Sequence, residues 1–178
     1  EVIQTEWTGW VVTFPSLVQI NENTYIMAYY GAGTGSDYNG NAISNQWGQW
    51  IGTFKVKADG SSITKLGFLR HDNYNNTYPY CSLVKVDDDT YALAYQGYNG
   101  GTAGGSSHGG WIKTFTVNGG TITQTAQLRH YDYESYYHSL VQVDANTYLL
   151  AYTDYSTSDG WLKTFTIPAD GSSITAVA

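Results

Sequence analysis

Tyr80-Cys-Ser-Leu-Val-Lys-Val86, a short acidic turn, Thr90-Tyr-Ala-Leu-Ala-Tyr95 and, further on, Trp111-Ile-Lys-Thr-Phe-Thr-Val117 make up a phrase that this chain writes three times. The first copy reads Ser16-Leu-Val-Gln-Ile20, Thr24-Tyr-Ile-Met-Ala-Tyr29 and Trp50-Ile-Gly-Thr-Phe-Lys-Val56; the third reads Ser139-Leu-Val-Gln-Val143, Thr147-Tyr-Leu-Leu-Ala-Tyr152 and Trp161-Leu-Lys-Thr-Phe-Thr-Ile167. Each copy closes on Ile-Thr, at Ile63, Ile122 and Ile174. A self-similar unit of this size is one supersecondary module stacked on its own copies, because a single unit cannot bury its apolar surface alone.

Thr, Tyr, Val, Ile, Phe and Trp fill all four phrases, and no segment carries a helical apolar stripe, so each phrase is predicted to be a strand of no more than about eight residues. The first is apolar at Leu17-Val18, Leu83-Val84 and Leu140-Val141, the pattern of a strand covered on both faces, and is placed innermost. The third alternates. Trp111, Lys113, Phe115 and Val117 share one face of the pleat, and Ile112, Thr114 and Thr116 share the other. Asn21-Glu-Asn23, Asp87-Asp-Asp89 and Asp144-Ala-Asn146 read as tight turns between strands one and two. Ala58-Asp-Gly60, Asn118-Gly-Gly120 and Ala169-Asp-Gly171 do the same between strands three and four.

A four-stranded antiparallel meander in tandem, with a longer crossing to the next copy, resembles the blade of the β-propeller repeat proteins. The expected fold class is therefore all-β, a β-propeller with three four-stranded blades in one domain spanning 1–178. The repeats fall at roughly 10–71, 72–130 and 131–178, with 1–9 completing the last blade. A three-repeat solenoid is the structural alternative. The resemblance is to architecture only, since the WD dipeptide and a sialidase-type Asp-box are absent, and it carries over no functional residue. Propellers run from about four to eight blades, so three are too few to close. Propeller lectins with too few blades per chain complete the ring by joining chains, and that resemblance implies a homodimer with a six-bladed ring. Writing Glu1 after Ala178 keeps the repeat in phase, which fits either completion of a last strand or excision from a longer array.

The 178 residues carry a net charge of −7, and the few Lys and Arg form no run, so a phosphate backbone would be repelled and no nucleic-acid partner is expected. No apolar stretch approaches the ~20 residues of a membrane helix. The 17 Tyr and 20 Gly, with few Lys and Glu, match a sheet-rich extracellular or cell-surface protein. Cys81 lies within an apolar strand and reads as a buried inert thiol.

The distance from Tyr29, Tyr95 and Tyr152 to Trp50, Trp111 and Trp161 is 21, 16 and 9 residues, so the variable loops gather on one rim, where binding residues concentrate. Candidate ligand contacts there are Trp7, Trp10, Tyr38, Trp47, His71, Asp72, Tyr74, Tyr98, His130, Asp132, Tyr133 and Tyr155. Aromatic rings beside Asp, Asn and His suit a sugar, whose C–H face stacks on a ring while its hydroxyls take directional partners. Each has a plainer reading. Trp50, Trp111 and Trp161 are expected to pack between blades, and His71 and His130, each preceded by Arg, are expected to anchor loops. Asp37, Asn39 and Asn41 have the alternate spacing of a calcium loop, but the sequence favours an ordinary Asx turn. Ser139 beside His138 is read as a structural hydroxyl, because Ser recurs at 16 and 82.

The expected function is carbohydrate binding without catalysis, with no cofactor. Glu134 with Asp132 is the one carboxylate pair that could argue for a hydrolase. A structural or adhesive extracellular module with no small ligand is the alternative.

Overall fold

The computed structural model describes residues 12–73, 80–98 and 108–178. They form twelve strands: β1 (Val12–Asn21), β2 (Thr24–Asp37), β3 (Ala42–Val56), β4 (Ile63–Asp72), β5 (Cys81–Lys85), β6 (Thr90–Tyr98), β7 (His108–Asn118), β8 (Thr121–Tyr131), β9 (Ser135–Asp144), β10 (Thr147–Asp154), β11 (Gly160–Thr166) and β12 (Thr175–Ala176). Consecutive strands pair into three four-stranded antiparallel sheets, β1 to β4, β5 to β8 and β9 to β12, one for each copy of the repeat. No helix occurs among the described residues. The arrangement is all-β and blade-like. Trp7, Trp10, Tyr74 and the segment 1–9 expected to complete the last blade lie outside the described residues.

The alternation of the third strand decides how the sheets stack. Ile26, Ala28, Ile51 and Leu69 on one face of the first sheet meet Leu83, Tyr91, Leu93, Tyr95, Trp111 and Phe115 of the second in one apolar cluster. The opposite face of the second sheet, through Ala92, Ala94 and Ile112, meets Leu140, Tyr148, Leu150, Tyr152 and Phe165 of the third. The two interfaces use the same repeat positions, so the sheets are related by one repeated step. Burying a leucine such as Leu83 or Leu140 in this way is worth about 1.5–3 kcal/mol.

Polar side chains lock the same step. Ser16 Oγ accepts the amide of Leu83 at 3.0 Å, and Ser82 Oγ accepts the amide of Leu140 at 2.9 Å. The recurring serine read as structural thus links each first strand to the next. Lys113 Nζ donates to the His71 carbonyl, and Lys163 Nζ to the His130 carbonyl, both at 2.6 Å. Gly52 stands at this position in the first sheet, and the Phe68 ring occupies the space a side chain would need.

Two expectations need correction. Eight of the twelve strands exceed eight residues, reaching 14 in β2 and 15 in β3. What reads as the first long loop is mostly a β-hairpin arm, paired from Ala32↔Trp47 to Ser36↔Ala42 and folded back so that Ser36 and Asp37 lie beside Leu69 and Arg70 of β4. Glycine permits this. A Cβ on Gly33 would stand 2.8 Å from the Trp50 indole, and one on Gly35 would stand 2.5 Å from the Phe68 carbonyl oxygen.

Candidate functional site

The crossing between β8 and β9 and the hairpin between β10 and β11 converge on one rim of the second and third sheets. Asp154, the last residue of β10, organises it. Its Oδ2 accepts the Tyr131 hydroxyl at 2.6 Å and the Thr157 hydroxyl at 3.2 Å, while Oδ1 accepts the Ser156 amide at 2.8 Å and the Ser156 hydroxyl at 2.9 Å. These donors, the Tyr131 hydroxyl first, hold the Asp154 carboxyl below its ordinary range. In return the carboxylate pushes the Tyr131 phenol up to about 12. Around this centre lies a recess of about 270 Å³, lined by Tyr136, Tyr137, Thr153, Asp154, Tyr155 and Ser158. Tyr137 and Tyr155 are exposed along its wall.

A second carboxylate braces the other side. Glu134 Oε1 lies 2.6 Å from His108 Nδ1, and Glu134 Oε2 accepts the Tyr136 hydroxyl at 2.9 Å. Burial, then this hydrogen bond, raises the Tyr136 phenol. Tyr98 meets His108 edge-on at 5.4 Å, and Tyr136 meets Tyr155 at 5.0 Å, so a continuous row runs Tyr98, His108, Glu134, Tyr136, Tyr155. Asp132 is exposed and sits 3.4 Å from Arg129 Nε, while Arg129 Nη2 donates to the carbonyls of Asp132 and His108, both at 2.8 Å. Tyr133 meets Tyr131 at 5.8 Å. Among the sequence candidates, this row takes in Tyr98 and Tyr155, while Asp132 and Tyr133 line, with His130, a separate recess of about 180 Å³.

The others lie elsewhere. His71 and Asp72 are buried where the first sheet meets the second, and His130 where the second meets the third. Asp72 Oδ2 accepts the Tyr95 hydroxyl at 3.1 Å and the Tyr98 amide at 3.2 Å. His71 stands edge-on to Tyr95 and Phe115, and His130 edge-on to Tyr152. Among the described residues neither imidazole has a hydrogen-bond partner at either ring nitrogen, which corrects the loop-anchoring expectation. Burial removes His71 and Asp72 from an exposed contact surface, whereas His130 keeps an edge on the recess lined by Asp132 and Tyr133. Tyr38 and Trp47 belong to the first sheet's arm; Trp47 is exposed and leans on Tyr30 at 5.6 Å. Asp37 Oδ1 accepts the amides of Asn39 and Asn41, each at 2.9 Å, and Oδ2 accepts the Asn41 side chain at 3.1 Å. This is an Asx turn. Among the described residues no three His, Cys, Asp or Glu side chains converge as metal ligands.

Sequence reasoning missed Tyr137. Tyr137 shares its repeat position with Phe14 and Tyr80, and the three rings touch in series, at 4.3 Å from Phe14 to Tyr80 and 4.5 Å from Tyr80 to Tyr137. Phe14 and Tyr137 sit in left-handed backbone, at φ 50° and 55°, beside matching register shifts in β1 and β9. Bulky residues rarely adopt that conformation, and it projects one ring per sheet out of the strand pleat. Cys81 is only part-buried, short of the expected buried thiol, and its surroundings push the thiol up to about 12, chiefly by desolvation.

Compared with known families and curated proteins, the chain shows no significant match to any family model or curated sequence.

Proposed function

We propose that this protein is a non-enzymatic carbohydrate-binding module of the β-propeller type, working outside the cell, with its ring completed to six blades by a second copy of the chain. The observation that carries the reading is the rim recess walled by the exposed Tyr137 and Tyr155 and held in shape by Asp154. A pyranose offers a flat C–H face to such rings and hydroxyls to the polar edge formed by Thr153 and Ser158. Preorganisation favours binding, since Asp154 and Glu134 are already committed to neighbouring donors and would not need reordering. The same commitment argues against a hydrolase, in which one carboxyl must stay free to protonate a leaving group.

The test is a glycan array followed by calorimetry on Tyr155→Ala and Tyr137→Ala. Binding of a neutral or acidic sugar, weakened at least tenfold by either change with melting temperature retained, supports the reading. Silence across the array assigns the rim to a structural or adhesive module instead.

A further inference from the structure

We infer that the two open faces of the chain, one on the first sheet and one on the third, are the two halves of a single interface, and that they pair head-to-tail between two copies to close a ring. The inference rests on the propeller reading above and supplies its partner and contacts. The sheet-to-sheet step is made twice inside the chain, and each participating position is then found a third time, uncovered. Leu83 and Leu140 are 5% and 2% exposed, but their counterpart Leu17 is 60% exposed. On the opposite faces Ile51 and Ile112 are both at 0%, whereas their counterpart Leu162 is at 67%. Val141 and Val143, counterparts of the part-buried Val18 and Ile20, are also exposed.

The two uncovered faces are chemically matched. Leu17, Tyr25, Met27, Phe54, Val56 and Ile63 line an entirely apolar recess of about 220 Å³ on the first sheet. These are the repeat positions of Leu83, Tyr91, Leu93, Phe115, Val117 and Ile122, which receive the first sheet's Ile26, Ala28 and Ile51 within the chain. Val141, Val143 and Leu162 of a second copy occupy the positions that would fill it. The serine lock extends in the same register: Ser139 is the repeat counterpart of Ser16 and Ser82, and the Leu17 amide is that of Leu83 and Leu140. A Ser139 Oγ of one copy then accepts the Leu17 amide of the other, and Tyr137 of one copy continues the ring series onto Phe14 of the other. Both junctions of a two-copy ring are identical, so two copies leave no open face.

Sedimentation equilibrium on the 178-residue chain between 1 and 50 µM reads this directly. The expected mass is twice 19.6 kDa. Met27→Lys and Leu162→Glu, on opposite faces, should each give monomers with unchanged far-UV circular dichroism. An equimolar mixture should regain the dimer mass, because one junction is then unaltered and the other opposes Lys to Glu. Val143→Glu serves in place of Leu162→Glu if that variant does not fold. A wild-type monomer at 50 µM overturns the inference. So does a series of growing polymers, or a variant pair in which only one face matters. The measured mass does not depend on any sugar, so failure here is distinguishable from silence on the glycan array.

Discussion

Acidification from pH 7 to pH 5 should strip most of this protein's stability, through three buried histidines. His71, His130 and His138 are all buried at the sheet interfaces. Burial, reinforced at His71 by Lys113 and at His130 by His138 and Lys163, holds the first two well below the ordinary imidazole range, and burial lowers His138 to about 3. In the unfolded chain each should titrate near ~6.5. Because each folded value lies below the unfolded one, this stabilisation is complete above that pH and is lost as the pH falls through it. Each histidine contributes up to ~1.4 kcal/mol per pH unit, so three give a slope of ~4 and a cumulative loss of ~6 kcal/mol at pH 5. That is comparable to the whole ~5–15 kcal/mol by which a domain is stable. The assay is urea unfolding followed by tryptophan fluorescence at half-unit steps from pH 7 to 5. His71→Phe, which keeps an aromatic ring against Tyr95 and Phe115, should lower the slope by about a third. A flat profile over this range, or folded-state imidazoles titrating near neutrality by NMR, refutes the reasoning.

The alkaline side carries a second signature, from Lys113, which burial lowers to about 8 while Asp72 partly offsets the fall. Its folded value lies below the unfolded one, so wild-type stability should rise with pH between about 8 and 9.5 relative to Lys113→Met, and parallel profiles in paired urea melts would exclude this. Cys81 acts in the opposite sense but is common to both proteins and cancels. Ser82→Ala orphans the amide of Leu140 and should cost about 1–3 kcal/mol, which thermal melts would register as a fall of several degrees; an unchanged melting temperature would deny the serine lock its role.

Much of this architecture is legible in the sequence because the repeat imposes a strand period on large side chains. Trp111, Lys113, Phe115 and Val117 declare their shared face by alternation alone. The arm escaped because Gly31, Gly33 and Gly35 alternate with small residues that give no periodic signal, yet their lack of side chains is what lets the backbone lie on Trp50 and Phe68. The histidines escaped for another reason. A polar residue at the end of a strand reads as exposed, and only the stacking of a neighbouring sheet turns that end into an interior. The rim was visible as a region and partly as residues: Tyr98 and Tyr155 join one row and Asp132 and Tyr133 line a separate recess, whereas Tyr38 and Trp47 ride on the arm. Tyr137 was hidden within the first strand of its sheet, since the register shift beside it leaves no mark in composition.

The hydroxyl of one serine per repeat, rather than a backbone ladder, ties each sheet to the next. Every main-chain pairing is then settled within its own cassette, and a gene could gain or lose whole cassettes by unequal recombination without disturbing the strand register of those that remain. The near-verbatim recurrence of Ser-Leu-Val and Trp-(Ile/Leu)-X-Thr-Phe is what such a history of duplication would leave behind.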